Sequence, residues 1–167
     1  KHLVSMKYLG INSMEEQNIE SNYLEPEPSS KIIGLTGGIG SGKSTVAKYI
    51  ENCGFPVYYS DDRAKAIVNE DENLKIKIKD LLGNEAYDHQ GLYDRKFVGK
   101  KVFNDDELLQ KLNNIIHPAV RLDFNNWVSQ QTKYLVFKET ALLFELNLHL
   151  DCYKSLLVTA EDNIRLK

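Results

Sequence analysis

At 167 residues, with 42% hydrophobic and 27% charged side chains, the chain has the makeup of one soluble α/β core. Its net charge of −3 lies in residues 1–30, which hold two basic and five acidic side chains, so the remainder is neutral and offers no broad basic face to a nucleic acid. No apolar run reaches the ~18 residues of a membrane span, no signal-type segment opens the chain, and two distant cysteines, Cys53 and Cys152, make neither a disulfide framework nor a metal site. The expected compartment is the cytoplasm.

Residues 1–30 read as an acidic extension that ends in the linker Glu25-Pro26-Glu27-Pro28-Ser29-Ser30. The chain does not open on Met, and Met6 or Met14 are candidate natural starts. From Lys31 apolar runs alternate with helical patterns, which predicts a parallel sheet. The first strand is Lys31 to Thr36, followed by a helix from about Gly42 to Asn52 that Gly54 ends. Phe55 to Tyr59 is a second short strand. Residues 61 to 132 are mainly helical: Glu72 to Leu82, Asp94 to Phe103, Asp106 to Ile116, and a further helix that Pro118 opens and that reaches about Gln131. Tyr134 to Lys138 and Tyr153 to Thr159 are the last two strands, and Glu161 to Lys167 begins a helix.

The run Gly37-Gly38-Ile39-Gly40-Ser41-Gly42-Lys43-Ser44, with Thr45 after it, fits G-x-x-x-x-G-K-[ST] without mismatch. It lies between a strand and a helix, the context in which small residues let backbone N–H groups curl around phosphate oxygens. This loop predicts a bound nucleoside triphosphate, with Lys43 reaching the β- and γ-phosphates and the Ser44 hydroxyl ligating Mg²⁺. Phosphoryl transfer also needs a group that takes or orients the acceptor proton. Ligands of open α/β sheets bind beyond the carboxyl ends of the strands, where Ser60-Asp61-Asp62 follows the second strand. On spacing alone Asp61 serves equally well as a helix cap, and both readings stay open.

Five segments in order carry a resemblance to dephospho-CoA kinases over about residues 31 to 167. The strand and loop from Ile33 to Thr45 closely resemble the start of that family. Phe55 to Asp61 is similar to its strand ending in Asp-x-Asp: Asp61 matches the second Asp, its presumed base, while Tyr59 replaces the first. Gly91 through Asp94-Arg95 and then Val102 to Asp105 resemble the next stretch. Leu112-Asn113-Asn114-Ile115-Ile116-His117-Pro118 resembles the specific Leu-Asn-x-Ile-x-His-Pro signature. Leu142-Leu143-Phe144-Glu145 resembles Pro-Leu-Leu-Phe-Glu, with Ala141 where Pro is usual.

The resemblance implies an α/β, P-loop NTPase three-layer fold with a parallel sheet, a helical acceptor-binding insertion and an incomplete lid. The nucleotide-binding core is then 31–61 with 133–160, the insertion 62–132, and the start of the lid 161–167. The implied reaction moves the γ-phosphoryl group of ATP to the ribose 3′-hydroxyl of dephospho-CoA. Asp61 and Lys43 carry the chemistry. Gly38, Ile39, Gly40, Ser41, Gly42, Lys43, Ser44, Thr45 and Arg165 hold ATP; Asp61, Arg95 and His117 hold the acceptor. Ser44 ligates Mg²⁺, and Glu145 is a carboxylate one step further from the ion. His117 also reads as a helix-entry histidine, Arg95 as a solvated charge and Glu145 as a cap. Since family members continue past the region matching Lys167, the expectation is an exposed sheet edge or lost core packing, a largely missing lid and weak or no kinase activity. Two rival readings are another small-molecule or nucleoside-monophosphate kinase, and a nucleotide-binding module without catalysis. A GTPase is disfavoured by the lack of an Asn-Lys-x-Asp segment.

Overall fold

The computed structural model describes the backbone of residues 5–9 and all of residues 30–161. Its strands are β1 (Ser5–Leu9), β2 (Lys31–Thr36), β3 (Val57–Tyr59), β4 (Leu135–Glu139) and β5 (Lys154–Thr159), in the sheet order β1-β5-β2-β4-β3. β2 is parallel to both β4 and β5, and β3 to β4, as expected of strands joined by helical crossovers. The helices are α1 (Lys43–Asn52), α2 (Ser60–Glu70), α3 (Glu72–Leu82), α4 (Arg95–Val102) and α5 (Asp106–Ser129).

The N-terminal reading needs correction within the residues 1–30 assigned to an extension. There β1 pairs antiparallel with β5, Ser5 opposite Thr159 and Leu9 opposite Ser155. β1 thereby covers one edge of β5. An unpaired edge is a template for any short segment of alternating character, and Ser-Met-Lys-Tyr-Leu is one. The alternation spans only five residues beside a long polar stretch, too short a signal to outweigh the composition around it.

Two compact units divide the chain: Lys1–Tyr59 with Val128–Lys167, and Ser60–Trp127. In the first, α1 turns Val46, Ala47 and Ile50 toward Leu35, Val57 and Val158 of the sheet, all buried. Gly54 takes φ 85°, the left-handed conformation that stops α1 before β3. β3 is two residues shorter than the sequence pattern suggested. Pro56 has no N–H for a ladder, and its carbonyl accepts instead from the Phe137 N–H at 2.9 Å.

In the second unit Ile67, Val68, Leu74, Ile78, Leu82, Val98 and Leu112 form one apolar core. Asp71 and Asp94 cap α3 and α4 through their carboxylates. The sequence predicted a break at Pro118, whereas α5 runs unbroken from Asp106 to Ser129. Proline inside a helix costs about 3 kcal/mol through a lost hydrogen bond and a steric clash. Leu112, Ile115 and Ile116 before it and Ala119 and Val120 after it all pack on the same core. Burying such side chains stabilises by about 1.5–3 kcal/mol for each large one fully withdrawn from water, which outweighs the local penalty.

Candidate active site

The loop from Gly37 to Thr45 leaves the carboxyl end of β2 and enters α1. Its shape is set by glycines. Gly40 and Gly42 have φ 74° and 85°, conformations other residues adopt only under strain. Gly37 is required for space instead: a Cβ there would lie 2.5 Å from the Val158 carbonyl oxygen and 2.6 Å from Ser41 Oγ. Ser41 is buried, with its hydroxyl unpartnered, and its N–H donates to the Gly38 carbonyl at 3.1 Å. Thr45 and Val46 both donate to the Gly42 carbonyl, which closes the first turn of α1 beside the loop. Gly38, Ile39 and Gly40 form the exposed crest, and the Ile39 side chain is 96% exposed. Ser44 and Thr45 are exposed as well. A left-handed turn, exposed small residues and the opening of a helix are the elements from which a phosphate cradle is built.

Lys43 forms an ion pair with Glu139, the last residue of β4, with both side chains mostly buried. Strand register explains how Glu139 arrives there. It lies opposite Leu35 of β2 and Tyr59 of β3, at the carboxyl end of the sheet where the loop begins. The sequence analysis passed over Glu139 and named Glu145. The available signal was a carboxylate two residues past the apolar run Leu135-Val136-Phe137, at the end of that strand. Glu145 instead lies exposed in the turn after β4. That turn is fastened to β2 by the Thr140 N–H to the Leu35 carbonyl at 3.0 Å and by Leu143. The latter is fully buried and fills the space that a side chain at Gly34 would need.

The remaining candidates belong to the helical unit. Asp61 is the second residue of α2, exposed, two positions past the end of β3. The helix includes Ser60, so the carboxylate sits in its first turn, where the helix dipole favours a negative charge. Arg95 opens α4 and His117 lies mid-way along α5, both exposed. What burial the His117 imidazole has lowers its pKa from the ordinary value. Arg165 lies outside the described residues.

The family described as dephospho-CoA kinase matches residues 31–167. The chain belongs to the dephospho-CoA kinase family. It is 41% identical to the dephospho-CoA kinase of Fusobacterium nucleatum, over 83% of this chain and 71% of that one. It is 37% identical to the dephospho-CoA kinase of Porphyromonas gingivalis, over 80% of this chain and 65% of that one. Among solved structures, one from Thermus thermophilus matches with a TM-score of 0.73 and 37% identity, over 83% of this chain and 70% of that one. Dephospho-CoA kinase from Campylobacter jejuni matches with a TM-score of 0.56 and 26% identity, over 71% and 63%. The α/β fold, the parallel arrangement of β2 to β5 and the kinase family expected from the sequence therefore stand. The chain spans 63–71% of the length of the first three curated dephospho-CoA kinases it matches. Among the described residues no helix is long and apolar enough to cross a membrane.

Proposed function

We propose that this chain carries the ATP-binding and acceptor-activating parts of a dephospho-CoA kinase. The observation that carries the reading is the Lys43–Glu139 pair at the root of the Gly37–Thr45 loop, in a chain whose family match runs from residue 31 to 167. Phosphoryl transfer on this kind of loop uses its lysine to cradle the β- and γ-phosphates and a carboxylate to help hold Mg²⁺, and the pair brings both groups to one place.

Lys43 is held by Glu139 until phosphates enter, and then exchanges that carboxylate for the β- and γ-phosphate oxygens. The Lys43 and Ser44 N–H groups and the start of α1 receive the anionic charge. Asp61 takes the proton of the ribose 3′-hydroxyl as that oxygen forms its bond to the γ-phosphorus. The bond from the γ-phosphorus to the β,γ-bridging oxygen breaks, and ADP leaves with its electron pair. Arg95 and His117 contact the acceptor, the arginine through a planar fork suited to phosphate. Mg²⁺ prefers oxygen ligands, and the Ser44 hydroxyl and the released Glu139 carboxylate fit it, with Glu145 further out; when bound it neutralises charge on the phosphates.

The reading is tested by adding ATP, Mg²⁺ and one acceptor at a time, and measuring ADP and the phosphorylated product. Turnover with dephospho-CoA and none with AMP, CMP or shikimate is the expected result. ATP binding with no ADP formed from any acceptor marks a binding module. Turnover on a nucleoside monophosphate marks a different kinase.

A further inference from the structure

Two residues beyond Asp61, Arg63 gathers two carboxylates onto one guanidinium. Its Nε donates to Asp123 Oδ2 at 3.0 Å and its Nη2 to Asp123 Oδ1 at 2.8 Å, a two-pronged contact from α2 to α5. The same Nη2 reaches Glu70 Oε2 at 2.9 Å, at the last position of α2, and Nη1 reaches Oε1 at 3.5 Å. Planar pairing of this kind fixes orientation as well as distance, which a lysine ammonium does not. The flanking carboxylates hold Arg63 even further into its charged form than usual, the Asp123 hydrogen bonds being the largest cause. At 3.6 residues per turn, positions 61 and 63 stand about 200° apart around α2. Locking Arg63 against α5 therefore turns Asp61 to the opposite side of the helix. The same clamp joins the helix that carries Asp61 to the helix that carries His117.

We propose that Arg63 is a positioning residue for phosphoryl transfer: its fork on Asp123 fixes the first turn of α2 and with it the direction in which the Asp61 carboxylate is presented. This rests on the reading that Asp61 accepts the acceptor's proton. A misplacement of about 1 Å costs as much as 10²-fold in rate, so a half-buried clamp that loosens only one turn is expected to cost about tenfold.

The experiment compares Arg63→Met, Arg63→Lys, Asp123→Asn and the charge-swapped Arg63→Asp/Asp123→Arg with the unmodified chain. Steady-state turnover with ATP and dephospho-CoA is measured beside backbone amide exchange over residues 64–67, whose N–H groups bond to the carbonyls of the first turn of α2. Arg63→Met is expected to lower kcat about tenfold at unchanged KM for ATP, and to speed exchange at residues 64–67. Arg63→Lys recovers little of either, whereas the charge-swapped pair recovers part of both. Exchange at residues 64–67 that stays at the unmodified rate in both Arg63→Met and Asp123→Asn overturns the proposal. So does unchanged kcat in those variants while the unmodified chain turns over. Should Arg63→Met fail to fold, the isosteric Asp123→Asn carries the same comparison. An unmodified chain that does not phosphorylate dephospho-CoA defeats the kinase reading instead, whereas an Asp61→Asn variant with full turnover removes Asp61 as the base and the catalytic part of the proposal with it. The exchange measurement then decides the clamp by itself.

Discussion

The loop-bearing sheet unit and the helical unit hold their candidate residues by opposite means. In the sheet unit the backbone builds the site: glycines set the curve of Gly37–Thr45, Ser41 is buried, and strand register delivers Glu139 to Lys43 in a nearly closed environment. In the helical unit the backbone only supplies cylinders. Asp61, Arg95 and His117 sit on exposed helix surfaces above a core made by other residues. A phosphate cradle is a set of N–H groups and tolerates no freedom in the chain that carries them. An acceptor-binding surface is a set of side chains, and its accuracy depends on how firmly the helices are tied.

The sharpest way to break this contrast is Lys43→Met. Loss of a preorganised charge at the transferring group is expected to lower turnover by about 10²–10³-fold. It also leaves Glu139 buried without its partner, a situation that destabilises by about 3–5 kcal/mol in comparable pairs. The double variant Lys43→Met/Glu139→Gln is therefore expected to regain stability against urea while turnover stays lost. Recovery of both together would mean that Lys43 serves the fold alone. Gly37→Ala comes next. The new methyl group meets a backbone carbonyl at 2.5 Å, which has no side-chain freedom to yield, so the cost is expected near the upper end of overpacking, about 3 kcal/mol. At Gly34 the atoms in the way are the ends of the Leu143 side chain, at 2.7 and 2.9 Å, and the loss is expected to be about 1–2 kcal/mol. Urea midpoints that rank the two variants in the reverse order would show that the loop, and not Leu143, is the part that gives.

Much of the sheet unit was legible because its signals are local. A strand, eight residues of loop motif and a helix follow one another, and each residue type answers to the backbone at its own position. Glu139 was harder to see: its meaning comes from lying beside β2, a relation set by the order of strands and not by sequence distance. β1 was missed for a related reason, since five alternating residues acquire significance only from an edge made by β5 more than a hundred positions later. In the helical unit periodicity found α3 to the residue. It then divided α5 in two because Pro118 is a strong local signal that packing on both sides overrides. Arg63 and Asp123, sixty positions apart, could be paired only once α2 and α5 were side by side.

Pro118 offers a milder test. Pro118→Ala restores an N–H able to reach the Asn114 carbonyl and removes the ring, in a helix that already runs through the site. The variant is expected to gain about 1–3 kcal/mol, read as a higher urea midpoint. A loss of stability would mean that the proline ring contributes more to packing than it costs the helix.

The smallest expected effect belongs to its neighbour. Partial burial disfavours the charged imidazole of His117 and sets its folded pKa below the ordinary 6.5. In the unfolded chain the ring takes up a proton near that ordinary value. Between the two values the unfolded state binds more protons than the folded state, so stability rises with pH there. The contribution is complete above about pH 6.5, is lost progressively as the pH falls below it, and changes no further once the folded ring is also protonated. His117→Gln keeps a polar side chain without the titration. The difference in urea midpoint between the variant and the unmodified chain is therefore expected to shift by a small amount between about pH 7.5 and about pH 5, in the variant's favour at the acid end. A constant difference across that range would place His117 fully in water and free its imidazole from any linkage to folding. Turnover measured over the same range separates the two roles of the ring. A structural histidine moves only the urea midpoint, whereas one that touches the acceptor also changes KM for dephospho-CoA as it gains its proton.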